Sequence, residues 1–184
     1  MNHADHVNLL RQGVPGPGGI WADLGSGTGA FTLALAELIR PQGVIYSIDR
    51  DGSALREQQR ALRERFPEVR VEIRQSDFTR PLDLPPLDGI VMANSLHFHR
   101  GKEAILRQVR GYLKQGGHFL LVEYNTDQGN PWVPFPLSYA SWEALARDCG
   151  FGETRLMVTR PSRFMGEIFS AVTINPVRKE SPGS

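Results

Sequence analysis

The sequence has little cysteine, no long apolar run and no excess of charge of either sign. Cys149 is the single cysteine, so neither an intramolecular disulfide nor a cysteine-based zinc site can form. No stretch approaches the roughly 18 apolar residues that suggest a membrane-spanning helix. Residues 1–11 are polar and lack the apolar core of a signal peptide. These absences predict a soluble, cytoplasmic protein.

Charge is balanced along the chain. Lysine and arginine number 21 and aspartate and glutamate 20, which gives a formal net charge of +1. Recognition of nucleic acid or of an anionic membrane through charge needs a basic excess or patch, so the balance indicates neither partner. Apolar residues at 40% and charged residues at 22% are ordinary for a globular domain. A chain of 184 residues is enough for one domain and short for two.

Short apolar runs alternate with helical patterns from residue 20 onward. The predicted strands are residues 20–24, 44–49, 69–75, 89–93, 118–124, 153–159 and 168–174. The predicted helices are residues 4–12, 30–40, 53–66, 103–113 and 142–148. This alternation predicts an α/β fold with a doubly wound, mostly parallel seven-stranded sheet. The turn at residues 161–166 is too short for a crossover helix, so the last strand is expected to run antiparallel.

The same pattern predicts one domain over residues 1–174, without a repeat or a clear linker. Residues 1–19 are expected to form a short N-terminal helix and a Gly/Pro loop, because residues 13–19 cannot hold a helix or a strand. Residues 175–184 are polar and contain two prolines, and we expect them to be a disordered tail.

The most informative motif is WADLGSGTGAFT at residues 21–32, where an apolar strand ends in an acid and a helical pattern follows. Asp23 ends the strand, and the turn after it comprises Gly25, Ser26, Gly27, Thr28 and Gly29. Glycine adopts strained backbone conformations at low cost and lets a ligand approach the backbone closely. The start of a helix adds a positive dipole end. The motif therefore predicts a nucleotide-like ligand.

Further polar or aromatic residues follow the carboxyl ends of three predicted strands, where ligands bind in open α/β sheets. They are Asp49, Arg50, Asp77, Phe78, Asn94 and Ser95. Asp49 lies at the spacing from which an acid reaches a ribose diol, although it could instead be a simple turn former. Asp77 could accept a hydrogen bond from an exocyclic amine, and Phe78 could flank a flat base. Together they predict a nucleoside site.

In this order and spacing the motifs resemble those of class I S-adenosylmethionine-dependent methyltransferases, over residues 20–174. In that family an acid precedes Gly-x-Gly-x-Gly, which Asp23 and the three glycines match. The Leu-Lys-Pro-Gly-Gly turn before the fifth strand is also present, with Gln115 in place of proline. The resemblance implies a Rossmann-like methyltransferase fold and S-adenosyl-L-methionine as cofactor. It also implies that Asp49 binds the ribose, that Asp77 binds the adenine, and that Asp23 and the turn amides hold the methionine moiety.

The activity implied is methyl transfer by in-line displacement to a small-molecule acceptor that the motifs do not name. One alternative is an NAD(P)-dependent oxidoreductase, because Gly25-x-Gly27-x-x-Ala30 also fits the nicotinamide fingerprint. The charge of Asp23, the position of Asp77 and the antiparallel end of the sheet oppose it. Another is a non-catalytic S-adenosylmethionine-binding domain, which the intact cofactor motifs oppose and the lack of a clear substrate cap leaves open.

An oxygen acceptor can need a base, and His97 and His99 follow the fourth strand. We predict His97 as this base and as a substrate contact; the alternative is that both histidines begin the next helix with exposed rings. Trp132 and Phe135 lie in the proline-rich segment 125–139, which we predict to be a stiff apolar lid over the substrate. The alternative is a structural connection whose aromatics cover the core.

No catalytic metal is predicted. Metal-dependent catechol-type methyltransferases hold acids at the ends of the fourth and fifth strands, where this chain has Ala93-Asn94 and Glu123-Tyr124-Asn125. Because the chain has almost no substrate cap, its site is expected to be open or to be closed by a second copy in a homodimer.

Overall fold

The computed structural model describes residues 1–177, whose seven strands form one mixed sheet. The strands are β1 (Ile20–Leu24), β2 (Val44–Asp49), β3 (Arg70–Gln75), β4 (Leu87–Ala93), β5 (Leu113–Tyr124), β6 (Thr154–Ser162) and β7 (Gly166–Ile174). The helices are α1 (His3–Arg11), α2 (Ala30–Ile39), α3 (Gly52–Arg65), α4 (Lys102–Tyr112) and α5 (Tyr139–Asp148). A single 3-10 turn, Leu96–Phe98, lies between β4 and α4.

The strand order is β3-β2-β1-β4-β5-β7-β6. Strands β1 to β5 are parallel, and β7 runs antiparallel to both β5 and β6. The hairpin of β6 and β7 closes with Ser162 opposite Gly166, which leaves no room for a crossover helix. The predicted fold class is therefore confirmed, including the antiparallel last strand.

Asn175 holds the turn after α4 through four hydrogen bonds. Its backbone carbonyl accepts from the N–H of Gly116, and its own N–H donates to Gly117, both at 2.8 Å. Its side-chain amide donates to the carbonyls of Leu113 and Lys114 at 3.0 Å. The turn after α4 is thus held in the sheet, and β5 begins at Leu113 rather than at residue 118. Asn175 is thus hydrogen-bonded to the turn after α4, residues 178–184 of the predicted tail lie outside the described residues, and the disordered tail stays a prediction.

Apolar side chains cover both faces of the sheet, as a central parallel sheet requires. In β5 the alternation places Leu120 and Val122 in the cluster under α1 and α2, and Phe119 and Leu121 in the cluster under α4 and α5. Helix α1 packs on α2, and Asp5 of α1 forms an ion pair with Arg160 of β6. Both faces of the sheet are therefore covered by packed side chains.

None of the helices within residues 1–177 is long and apolar enough to cross a membrane.

Phe169, at the centre of β7, is fully buried and packs edge to face against Tyr139. We expect Phe169→Ala to lower the free energy of unfolding by about 3–5 kcal/mol, because it removes a buried ring and leaves a cavity. Urea denaturation measures this change. Leu156→Ala, on the half-exposed face of β6, is the control and should cost far less. Equal losses in the two variants would contradict the position of β7 inside the core.

Candidate active site

A cavity of about 560 Å³ opens at the carboxyl ends of the parallel strands, beside the neighbouring strands β1 and β4. The chain order of the sheet reverses between these strands, and ligands bind in open α/β sheets at that point. The cavity is lined by Gly25, Gly27, Asp49, Arg50, Asp51, Ser76, Asp77, Phe78, Asn94, Ser95, Phe98 and His99. The structure thus brings most of the predicted cofactor residues together around one cavity.

The glycine turn needs glycine for two different reasons. Gly25 has φ +78°, and a Cβ there would lie 2.4 Å from the Cβ of Ser95. The absence of a side chain therefore lets the end of β1 contact the end of β4. Gly27 has φ +53°, and a Cβ there would meet no atom of the protein within 4 Å. At Gly27 the space belongs to the cavity, so a bound molecule can lie directly against the backbone.

The carboxylate of Asp49 is oriented by backbone donors. Its Oδ2 accepts from the N–H of Gly27, and its Oδ1 accepts from the N–H of Asp51, both at 2.8 Å. A carboxylate oxygen can accept two hydrogen bonds, so each oxygen keeps capacity for a ligand hydroxyl. The bond to Gly27 also ties the end of β2 to the glycine turn.

Asp77 is fixed on one oxygen. Its Oδ1 accepts from the backbone N–H and from the hydroxyl of Thr79, at 2.9 and 2.7 Å. These bonds hold the pKa of Asp77 below its ordinary value, so the group is ionised at neutral pH. Its Oδ2 accepts no hydrogen bond from residues 1–177. Phe78 lies beside it, edge to face with the ring of His99 at 5.2 Å between centroids.

Asp23 lies beneath the glycine turn instead of on the cavity wall, and it is almost fully buried. The hydroxyl of Thr32 donates to its Oδ2 at 2.6 Å. Burial raises the pKa of Asp23 to about 7; the bond from Thr32 opposes this rise, and the charge of Asp49 adds to it. The carboxyl therefore changes its charge near neutral pH.

The other turn residues also stay off the wall. The hydroxyl of Ser26 points inward, where it accepts from Ser47 at 2.8 Å in a network that includes Gln58. Thr28 is exposed to solvent, and Gly29 forms the N-cap of α2. Ser26 and Gly29 support the turn, and ligand contact by these three residues stays a prediction.

Asn94 combines a strained backbone with a buried, unpartnered acceptor. Its φ of +52° lies in the left-handed region, which is uncommon for a residue other than glycine. Its side-chain Oδ1 is buried without a hydrogen-bond partner among residues 1–177. Strained residues and unsatisfied polar atoms cluster at functional sites. Asn94 therefore lines the cavity and keeps a vacant, buried acceptor behind the cavity surface.

His97 is buried beside the cavity and paired with Glu123 at the end of β5. Its Nδ1 lies 2.7 Å from Glu123 Oε2, and its backbone N–H donates to Oε1 at 3.2 Å. Both side chains are at most 3% exposed. His97 Nε2 makes no hydrogen bond within residues 1–177. The alternative of two exposed rings is wrong for His97, because Glu123 holds its ring inside; His99 instead lines the cavity.

Sequence reasoning did not assign a role to Glu123. A buried acid within the apolar strand β5 was the available signal, since charged groups are almost never fully buried without a partner. The partner lies 26 positions away and could not be identified from the chain alone.

The segment with Trp132 and Phe135 does not reach the cavity wall. The N–H of Phe135 donates to the carbonyl of His97 at 2.9 Å, and Lys102 Nζ donates to the carbonyls of Phe135 and His99 at 2.7 and 2.8 Å. Val133 is buried, whereas Trp132 is 71% exposed. The segment thus has features of both interpretations: it is fastened over the core, and it presents aromatic rings to solvent next to His97.

Within residues 1–177 no group of three His, Cys, Asp or Glu side chains is arranged to hold a metal ion.

Residues 17–167 match a family model described as a methyltransferase domain. The chain is 24% identical over 165 residues to the highly reducing polyketide synthase aurA of Calcarisporium arbuscula, a match that covers 77% of this chain. The chain spans only 7% of the length of that curated relative.

Two solved structures illustrate the shared fold. A SAM-dependent methyltransferase from Aquifex aeolicus superposes with a TM-score of 0.73 at 19% identity, over 93% of this chain and 89% of the other. The magnesium protoporphyrin IX methyltransferase of Synechocystis PCC 6803, with bound SAM, has a TM-score of 0.68 at 18% identity. That likeness covers 92% of this chain and 77% of the other. At such identities the likeness establishes the fold.

The strand order, the antiparallel β7 and the cavity between β1 and β4 define the class I methyltransferase fold. The family match covers most of the chain. The chain therefore belongs to the methyltransferase domain family, and its fold is that of the class I methyltransferases that the sequence motifs resemble.

The raised pKa of Asp23 predicts how the free energy of unfolding changes with pH. Its folded pKa of about 7 lies above its ordinary value of 3.8. Between these values the folded chain keeps a proton that the unfolded chain loses, so this group's contribution to stability falls as pH rises from 4 to 7. The full shift corresponds to about 4 kcal/mol. We expect Asp23→Asn to remove this pH-dependent fall in the free energy of unfolding, as measured by urea denaturation at pH 5 and pH 8. The same pH dependence in both proteins would contradict it.

Proposed function

We propose that the cavity binds S-adenosyl-L-methionine and that the protein transfers its methyl group to a small-molecule acceptor. The observation that carries this proposal is the position of two oriented carboxylates, Asp49 and Asp77, on one wall beside the open backbone of Gly27. Membership of the methyltransferase family supports it and favours it over a nicotinamide cofactor. The charge of Asp77 and the antiparallel β7 point the same way.

The wall offers suitable partners for each part of the cofactor. Asp49 can accept from both ribose hydroxyls, because each of its oxygens has one further acceptor position. The free Oδ2 of Asp77 can accept from the exocyclic amine of adenine. The vacant Oδ1 of Asn94 can accept from an ammonium group, which would satisfy a buried atom that otherwise costs free energy. Asp23, behind the turn, is ionised more readily when a cation is bound nearby.

When bound, S-adenosylmethionine supplies a methyl group already activated on a sulfonium, which transfers in line to the acceptor as the sulfur becomes neutral. The protein's own contribution is to bind, align and exclude water. His97 can add proton transfer: Nε2 takes the proton of an acceptor O–H or acidic C–H. Glu123 holds Nδ1, which fixes the tautomer that leaves Nε2 free to accept. Glu123 is thus a positioning residue.

The carboxylates are tested by cofactor binding. We expect Asp49→Asn and Asp77→Asn each to weaken binding of S-adenosylmethionine by about tenfold or more, because each removes the charge from a hydrogen-bond acceptor. Isothermal titration calorimetry measures the affinities. Asp83→Asn, an exposed acid outside the cavity, is the matched control. Unchanged affinity in both cavity variants would overturn the assignment of Asp49 and Asp77.

The base is tested with an acceptor panel of phenols and 1,3-dicarbonyl compounds, by following released S-adenosylhomocysteine. We expect His97→Gln to lower kcat by about 100-fold or more, as for loss of a general base. Cofactor affinity should stay within a factor of two, since His97 is off the cavity wall. Glu123→Gln keeps the imidazole and should cost less. If His97→Gln turns over at the normal rate, methyl transfer stands but His97 is not its base.

A further inference from the structure

We propose that the methyl acceptor is a planar, apolar molecule with an ionisable O–H, and that it binds on an aromatic surface formed by Phe98, Tyr124, Trp132 and Phe164. The inference rests on the proposed function, because the surface has this role only if the neighbouring cavity holds the methyl donor. Phe164, at the tip of the β6–β7 hairpin, is its least expected member, since it lies far along the chain from the cavity residues.

The rings form one continuous series. The centroid of His97 lies 4.3 Å from that of Phe98 and 6.1 Å from that of Tyr124. Phe164 follows at 5.8 Å from Tyr124 and 6.4 Å from Trp132. The contacts are tilted or edge to face, which are favourable geometries for aromatic pairs. Three separate segments, after β4, after β5 and between β6 and β7, therefore converge on one surface.

Three of the four rings are largely exposed, and two of these three, Trp132 and Phe164, contact each other. Trp132 is 71% exposed, Phe98 54% and Phe164 52%. Contiguous exposed apolar side chains mark binding sites more often than single ones do. The other two tryptophans, Trp21 and Trp142, are at most 2% exposed, as expected for core residues.

The aromatic surface is continuous with the cavity. Phe98 belongs to both, since it lines the cavity and contacts His97. The ring of His97 lies between Phe98 and Tyr124, with Nε2 free of partners within residues 1–177. An acceptor that lies on the rings therefore has its reacting group near both the proposed base and the cavity mouth.

The chemistry and size of the surface identify the occupant. Two charged groups beside this surface are engaged by the protein itself: Glu123 is fully buried against His97, and Lys102 Nζ donates to two backbone carbonyls. Burial raises the pKa of the Tyr124 hydroxyl, so it remains uncharged. The surface therefore favours an uncharged, flat molecule. Four side chains suit one or two fused rings but are far fewer than the roughly 20 residues a side of a stable protein interface.

The tryptophan distribution gives a direct test with 4-nitrophenol as the probe. Binding to the protein saturated with S-adenosylhomocysteine should quench the emission of Trp132, and Trp132→Phe should abolish that saturable signal. Phe164→Ala should weaken binding about three- to tenfold, the loss expected for aromatic contacts. Leu156→Ala removes a half-exposed apolar side chain near the start of β6, away from the hairpin tip that carries Phe164. It is the matched control and should bind nitrophenol normally.

The outcomes separate this inference from the proposed function. Calorimetry of S-adenosylhomocysteine binding on the same samples tests the cofactor site; no binding to the wild type would overturn the proposed function. Normal cofactor binding with no saturable quenching, or with equal nitrophenol affinity in Phe164→Ala, would overturn the acceptor surface alone. A dimer in sedimentation velocity that Trp132→Asp dissociates would also overturn it, because a second copy would then cover the rings.

Discussion

The site depends on the contact between Gly25 and Ser95, which holds the ends of β1 and β4 together. No side chain larger than hydrogen fits at Gly25, because a Cβ would lie 2.4 Å from that of Ser95. Ser95 in turn donates from its hydroxyl to the carbonyl of Leu24 at 2.9 Å. After Gly25 the chain continues through the glycine turn into α2. Asn94 immediately precedes Ser95, and His97 follows it by two residues. Cofactor wall and proposed base are therefore positioned by a single close contact.

Two buried carboxyl groups then give the site its electrostatic character. Asp23 ends β1, Glu123 lies near the end of β5, and each has one principal partner, Thr32 or His97. Burying a carboxylate costs free energy unless hydrogen bonds compensate. Buried ionisable groups of this kind cluster at functional sites, and both acids lie behind segments that border the cavity. In the proposed function, Asp23 lies beneath the glycine turn that holds the methyl donor, and Glu123 holds the imidazole that takes the acceptor's proton.

Much of the scaffold could be predicted from the sequence because its signals are local. The strands β1 and β2 end where the apolar runs end. Asp49 and Asp77 line the cavity because Asp49 is the last residue of β2 and Asp77 comes just after the end of β3. The unpredicted features depend on partners far along the chain. The burial of His97 needs Glu123 and Phe135, and the early start of β5 needs Asn175. Phe164 belongs to the aromatic surface only because the hairpin of β6 and β7 brings its ring into contact with Tyr124.

The direction of β7 determines where the described part of the chain ends relative to the cavity. Because β7 pairs in register from Ile168 opposite Tyr124 to Ile174 opposite His118, it traverses the sheet away from the cavity edge. The seven residues of β5 in this ladder span about 20 Å. The chain past Ile174 therefore leaves from the edge of the sheet opposite the cavity. The last described residues therefore lie at the end of the sheet away from the cavity and the aromatic surface, so an attachment made close to Val177 keeps its distance from the site.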